Sequence, residues 1–344
     1  MNVKENVSLA DYTTMGLGGN AAYLVEISSN QEVQEALNWA KSKQLSSIMI
    51  GGGSNIIWGD EGYKGLVIVN KILKFEIYAE DDLNYYVTIG GGEDWDMVVD
   101  RTVQASLSGI EALSLIPGSA GATPVQNVGA YGQEISQTLT ALEAYDKEQD
   151  RFVTIPAADC DFAYRTSRFK TQDKGRFYIC SITLHLLKTN PMPPFYAGLQ
   201  SYLQTNNVTT YTPSVIREAV MNIRKAKLPD PKKDKNVGSF FSNPVVNRPK
   251  FMELRDIYPS IPSWQTEDDS IKLSAAWLIE QVGLKGYHDT ETGMATWPTQ
   301  PLVLVNEKAR STIDLISFKN KIVEAVNQKF GISLIQEPEF VASI

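Results

Sequence analysis

Three glycine-rich segments within about eighty residues constrain this chain more than any other feature. They are Gly51-Gly-Gly-Ser-Asn55, Gly90-Gly-Gly92 and Gly118–Gly132, the last within a stretch from Gly109 to Gly132 that is rich in Gly, Pro, Ser and Asn yet has few charges. Any one of them alone would read as a tight turn. Solvated linkers are usually more polar than the third, so it reads as an ordered loop wrapped around something. Glycines at strand ends let backbone N–H groups approach a ligand closely. Pyrophosphate is a natural target for such amides. Together the three segments could surround one anionic, multi-ring ligand.

The surrounding pattern is mixed. Ala22–Ile27 and Ser47–Ile50 read as strands on either side of a helix Asn30–Lys41, forming a β-α-β unit whose second strand runs into the first glycine run. Ser29 with Glu32 predicts a capping box, and Val33, Ala36, Leu37 and Ala40 make the apolar stripe. Strands are expected at 66–69, 75–79 and 85–89, then a helix through Trp95, Val98, Val99 and Val103. Ala141–Asp146 and Arg151–Ile155 predict a hairpin, and Phe177–Leu187 a long strand. Thr212-Pro213 opens a helix whose stripe is Ile216, Ala219, Val220 and Ile223. The polar run Lys227–Asn236 reads as a domain junction. Beyond it lie a helix around Ala275–Val282 stopped by Gly283, a strand Leu302–Val305, and a helix Thr312–Phe330 stopped by Gly331. Internal repeats and low-complexity tracts are absent from the sequence.

At 344 residues, two or three domains are expected. Apolar residues at 43 % and charged residues at 21 % suit a soluble globular protein. A net charge of −8 opposes a general nucleic-acid footprint, although a local Lys/Arg cluster could still hold an anionic substrate. Cys160, Cys180, His185 and His288 form no metal-ligand spacing, and no metal is expected. Both cysteines and His185 read as packed residues, and no disulfide is expected. The N-terminal dozen residues carry no apolar signal core, and no apolar run reaches ~18 residues. A cytoplasmic protein is the expectation.

One pattern misleads. Gly16-Leu-Gly18-Gly-Asn-Ala21 matches the G-x-G-x-x-A dinucleotide pattern, but a Rossmann site needs a strand before it and a helix after it. Here a strand follows. A Walker A lysine motif is also lacking, so nucleotide hydrolysis has no support.

Longer motifs carry a resemblance. Ile50-Gly-Gly-Gly-Ser-Asn-Ile-Ile-Trp58, the whole stretch Gly109–Gly132, Tyr164-Arg-Thr-Ser-Arg-Phe-Lys170, Gly238-Ser-Phe-Phe-Ser-Asn-Pro244 and Glu337-Pro-Glu339 resemble the UDP-N-acetylenolpyruvoylglucosamine reductases in order and spacing, over nearly the whole chain. The long middle motif is very specific, whereas Glu-Pro-Glu alone would carry nothing. The resemblance implies an α+β chain: an FAD-binding fold of the vanillyl-alcohol-oxidase (PCMH) type in two subdomains, residues 1–70 and 71–225. A separate α+β substrate-binding domain would span 226–331, with a tail, 332–344, returning to the active site. It implies FAD cradled by Gly51, Gly52, Gly53, Ser54 and Asn55 at the pyrophosphate. Pro117, Gly118, Ser119, Gly121, Asn127 and Gly129 would lie along the rest of the cofactor. The glycine-rich segments hold no His or Cys to tether FAD, so binding should be noncovalent.

The implied reaction has two halves. NADPH reduces FAD, and the reduced flavin delivers hydride to C3 of an enolpyruvyl group on UDP-N-acetylglucosamine while C2 is protonated. Negative charge builds at C2 and in the neighbouring carboxylate, so a cation and a proton donor are needed there. The resemblance gives the carboxylate to Arg165, the proton to Ser239 and the third catalytic position to Glu339. Glu337 is the competing acid. Taken alone, each reads more simply: Arg165 as a surface or salt-bridge residue, Ser239 as a turn entering a strand, Glu339 as a solvated tail carboxylate.

Tyr164, Lys227, Asn243 and Gln300 match positions that touch the UDP-sugar or nicotinamide. Tyr196 resembles the diphosphate-covering tyrosine loop of the longer family subtype. The chain departs from the pattern at Ser242, where many relatives carry Lys or Arg, and at Asp289–Trp297, which matches nothing. A monomer is expected. Two other readings stay open at this point, an oxygen-using flavin oxidase of the same fold and a catalytically inert UDP-sugar binder.

Overall fold

Local caps set the helix ends. Ser29 accepts from the Glu32 amide at the start of the helix Asn30–Ser42, as expected. The return half of the expected capping box differs. The Glu32 carboxylate accepts from the amide and hydroxyl of Ser28 at 2.7 and 2.8 Å, one residue further out than a box requires. The Thr212 hydroxyl accepts from Val215 N–H at the head of the helix Pro213–Lys227. Gly331 closes the helix Thr312–Phe330 in a left-handed conformation, φ 65°. The structure, a computed structural model, describes residues 1–266 and 269–342. Residues 343 and 344 of the expected returning tail lie outside the described residues.

The chain divides into two units, each discontinuous in sequence. The first comprises Met1–Val7, Ala21–Gly52 and Lys64–Ala226. Its four-stranded sheet runs in the order Lys4–Ser8, Asn20–Ile27, Tyr63–Asn70, Ser47–Ile50. The expected β-α-β unit is therefore opened: Tyr63–Asn70 inserts between its two strands and pairs parallel with Ser47–Ile50. A five-stranded sheet runs Arg151–Pro156, Leu139–Asp146, Phe177–Leu187, Asn84–Gly90, Phe75–Ala79, antiparallel throughout. The predicted hairpin forms its first two strands. The helix Trp95–Gln104 buries Trp95, Val98, Val99 and Val103 against Ile182, Leu184 and Leu186 of that sheet. A second helix pair, Ala197–Thr205 and Pro213–Lys227, joins through Leu199, Leu203, Ile216 and Val220.

The second unit comprises Ser8–Asn20, Gly53–Tyr63 and Lys227–Ile344. Two of these segments, Ser8–Asn20 and Gly53–Tyr63, are ones the sequence reading placed in the first FAD subdomain. Phe318, Ile322, Val326 and Phe330 of the helix Thr312–Phe330 recur at helical spacing and pack with Leu278, Ile279, Leu304 and Phe241. Asp60 takes the amides of Thr312 and Ile313 at 2.6 and 3.0 Å, complementing the positive end of this helix. A parallel pair joins Ile56–Trp58 to Glu339–Val341. Gly16 and Gly18 adopt φ 67° and 136° ahead of the strand Asn20–Ile27, and no helix follows them, so the dinucleotide pattern there stays without its fold.

Candidate active site

The glycine runs meet in the first unit. The strand Ser47–Ile50 delivers Gly51 and Gly52 onto Gly118 and Ser119. A Cβ on Gly51 would collide with the Ser119 Oγ, and one on Gly52 would stand 3.1 Å from the Gly118 Cα. The second run touches the third: Gly121 N–H donates to the Gly91 carbonyl at 3.0 Å, and a Cβ on Gly121 would lie 2.9 Å from the Gly91 Cα. Only side-chain-free residues allow this approach. The Ser119 hydroxyl is buried without a partner. Among the described residues nothing accepts from the Gly51 or Gly52 amides. Unpaired donors on closely apposed glycine backbones suit an anionic, pyrophosphate-bearing group, so these residues fit FAD.

The loop leading to that cradle is held under strain. Leu115 has φ 56°, which for a side chain of this size costs about 1 to 2 kcal/mol. Asp96 accepts its N–H at 2.6 Å, and Arg224 donates to its carbonyl at 3.2 Å. Gly118, three residues on, has φ 126°, with the exposed Pro117 preceding it, and gives its carbonyl to Trp95 N–H. Burial pulls Arg224 below the ordinary arginine range, against the opposing pull of Tyr131 and Asp96, and its Nε has no partner. Arg224 had no signal in the sequence beyond being an arginine in an amphipathic helix. The Tyr131 ring meets Tyr196 edge-on, centroids 6.1 Å apart. Tyr196 itself is exposed and directly precedes the helix Ala197–Thr205.

Arg165 sits at the tip of a two-residue turn. Ala163 and Thr166 exchange both backbone hydrogen bonds, at 3.1 and 3.2 Å, leaving Tyr164 and Arg165 between them. Arg165 has φ 56°. Its Nη2 donates to the Gly129 carbonyl at 2.7 Å, and its Cζ lies 5.2 Å from the Tyr164 ring centroid. Asn127 is buried. Its amide donates to Glu134 and to the Ala163 carbonyl, and its oxygen accepts from Ser136 N–H. These contacts employ the Asn127 side chain within the protein.

A second set gathers in the second unit. The segment Ser239–Ser242 lies between two partners. Ser239 bridges Val303 and Phe240 N–H donates to Leu302, while Phe241 bridges Gln336 and Ser242 N–H donates to Ile335. Glu337 N–H donates to the Phe240 carbonyl at 2.9 Å. Glu339 N–H donates to the Asn55 carbonyl at 2.9 Å. The tail thus runs from beside Ser239 to the end of the Gly53–Asn55 loop. Gly53 has φ 64°, and a Cβ there would collide with the Tyr12 carbonyl. The Ser242 hydroxyl points to the Ile335 carbonyl at 3.4 Å. Asn243 Oδ1 accepts from Ala275 N–H at the head of the helix Ala275–Gln281. Thr299 donates to the Lys227 carbonyl at 2.7 Å, which sets Lys227 beside Gln300 at the start of the strand Gln300–Asn306. The unmatched segment Asp289–Trp297 forms a hairpin whose buried Asp289 pairs with Lys321 at 3.0 Å. A cavity of about 370 Å³ there is lined by Asp289–Gly293, Glu307, Arg310 and Asp314, none of them an expected site residue.

Comparison with known proteins gives two family matches. Residues 21–154 match a family described as an FAD binding domain. Residues 230–341 match the UDP-N-acetylenolpyruvoylglucosamine reductase C-terminal domain. The UDP-N-acetylenolpyruvoylglucosamine reductase of Thermobifida fusca is 38 % identical, over 98 % of this chain and 97 % of its own. That of Escherichia coli K12 is 35 % identical, over 98 % and 96 %. Among solved structures, the UDP-N-acetylenolpyruvylglucosamine reductase of Thermus caldophilus shares the fold, with a TM-score of 0.68, 22 % identity and 99 % of each chain covered.

Proposed function

Because the chain belongs to the UDP-N-acetylenolpyruvoylglucosamine reductase family and is an FAD-dependent oxidoreductase, we propose that it reduces the enolpyruvyl ether of UDP-N-acetylglucosamine to the lactyl ether, UDP-N-acetylmuramate, with NADPH as reductant. A hydride adds at C3 and a proton at C2, and NADPH leaves as NADP⁺. FAD, bound noncovalently, supplies the hydride chemistry. Gly51, Gly52, Ser119 and Gly121 of the first unit would hold it.

The chain's own groups handle charge and proton. Arg165 offers a planar cationic fork to the substrate carboxylate, where charge develops. Ser239 gives its proton to C2. A hydroxyl is a weak acid and can serve only a strongly basic, carbanion-like centre. Glu339 stands at the enolpyruvyl end. Tyr164, Tyr196, Lys227, Asn243 and Gln300 would meet the UDP-sugar or the nicotinamide. The observation that carries the reading is the seating of the tail: Glu339 on the Asn55 carbonyl and Glu337 on Phe240, next to Ser239. A flavin oxidase of the same fold would lack the Gly238–Pro244 motif and the terminal acid, both present here. Among the described residues no helix is long and apolar enough to cross a membrane. From the family resemblance we propose a cytoplasmic monomer.

Anaerobic stopped-flow on the FAD-loaded protein tests the reading. NADPH should bleach the flavin, and UDP-N-acetylenolpyruvoylglucosamine should restore its colour with a product two hydrogens heavier. Flavin bleached by NADPH but not recoloured by the substrate would favour the oxidase, and bound flavin that NADPH fails to bleach would favour the inert binder.

A further inference from the structure

The geometry points to Asn127 and Ser167 as positioning residues for Arg165, acting through the turn that carries it. This rests on the reading of Arg165 as the carboxylate-binding cation. Three cross-ties join the turn to the loop beside it. Arg165 Nη2 reaches the Gly129 carbonyl at 2.7 Å, Asn127 Nδ2 reaches the Ala163 carbonyl at 3.3 Å, and Ser167 Oγ donates to the Val125 carbonyl at 2.7 Å. The ties flank the guanidinium on the turn and are spaced along the loop from Val125 to Gly129. Ser167 is buried, and its Oγ also accepts from Phe169 N–H.

Strain shows why ties are needed. Arg165 and Asn127 both hold left-handed backbone, at φ 56° and 46°. For Arg165 that conformation costs about 1 kcal/mol or more, so a two-residue turn left to itself would relax and carry the guanidinium away. Asn tolerates the conformation and uses its amide three ways, to Glu134, Ala163 and Ser136. The Ala163 carbonyl accepts both the turn's own Thr166 N–H and the Asn127 amide, so one atom couples turn closure to the loop. A long flexible cation is thereby pre-oriented before substrate arrives. Misplacing such a group by about 1 Å can cost on the order of 100-fold in rate.

The test uses Asn127→Ala and the milder Ser167→Ala in the holoenzyme, each also combined with Arg165→Met. For Ser167→Ala, FAD affinity and NADPH reduction of the flavin should stay within about twofold of the parent. Reoxidation by UDP-N-acetylenolpyruvoylglucosamine should slow by about 10- to 100-fold. In the Arg165→Met background neither change should slow it further. Hydrogen exchange gives a readout free of turnover: the Ala163 and Thr166 amides should lose protection while the five-stranded sheet keeps its own. Full additivity with Arg165→Met, or a tenfold loss of FAD affinity in Ser167→Ala with normal reoxidation in what remains loaded, overturns the positioning role. If Arg165→Met itself reoxidises normally, the assignment of Arg165 falls, and this role with it. If Arg165→Met is slow while both alanine variants are normal, the positioning role alone is refuted.

Discussion

Glu339 donates its backbone N–H to the carbonyl of Asn55 at 2.9 Å, although 284 positions separate them in the chain. The contact opens a parallel pairing of Glu339–Val341 with Ile56–Trp58, so the tail is a strand of the second unit. Two residues earlier, Glu337 is anchored to Phe240. Proline between the two acids keeps the backbone extended, and alternate residues of an extended chain have different backbone partners here.

That arrangement separates the two acids in function. Glu339→Gln should leave NADPH reduction of the flavin near normal and slow reoxidation by substrate at least tenfold. Glu337→Gln should change either step less than threefold. Stopped-flow on both variants checks this, and the reverse ranking would transfer the role to Glu337.

Ser239 lies in backbone pairing with Val303, partly exposed, with the positive-φ Gly238 before it. Ser239→Ala should preserve fold and flavin reduction, and slow reoxidation by about 10²- to 10⁴-fold, the range of a lost general acid. Equal slowing of both half-reactions would remove Ser239 from its assigned role.

Gly51 leaves no room for a side chain against Ser119, and a Cβ on Gly52 would press to 3.1 Å from the Gly118 Cα. Gly52→Ala should weaken FAD binding by about tenfold or more, equivalent to roughly 1.4 kcal/mol. Gly51→Val should yield protein that loses its yellow colour on desalting. Titration of FAD into stripped protein measures both, and unchanged affinity would place the pyrophosphate elsewhere.

Asp146 accepts two hydrogen bonds from Arg176, at 3.0 and 2.7 Å. The guanidinium holds this carboxyl below the usual range, against the opposing effect of burial. A depressed folded value means the stabilisation is present above the ordinary aspartate range and lost as pH falls through the folded value. Asp146→Asn should therefore lower the melting temperature at pH 7 by a few degrees and flatten its decline on the acid side. An unchanged acid limb would show that other carboxylates dominate it.

Burial pushes the Cys160 thiol up to about 11 and that of Cys180 up to about 12. Neither should be modified by a thiol-specific disulfide reagent at pH 8 in the native protein, and both should react in urea. Rapid native labelling of either would mean that the packing around it opens readily.

Much of the local structure was legible. The strands Ser47–Ile50, Phe75–Ala79 and Phe177–Leu187 follow from apolar runs bounded by turn residues, and Gly331 marks its helix end because only left-handed backbone closes it there. The helices Ala197–Thr205 and Arg248–Ile257 gave weaker signals and were not foreseen, the second despite Asn247 and Pro249 at its head. The strand Ile56–Trp58 is too short to announce itself, and its partner is the tail.

From sequence alone came the order of the motifs, the positions that must be glycine, and the candidate residues Arg165, Ser239 and Glu339. The first two are local properties, residue size, permitted φ and spacing along the chain, whereas the three candidate residues came only from the family resemblance that the motifs carry. Tertiary structure alone decided that Gly51 meets Ser119 and Gly121 meets Gly91, that Tyr63–Asn70 enters the β-α-β unit, and that Asn127 and Ser167 hold the Arg165 turn. It also decided that Glu339 is seated on Asn55. Pairing between distant segments depends on which backbone groups are left without partners once the local elements have formed, and no local pattern encodes that choice.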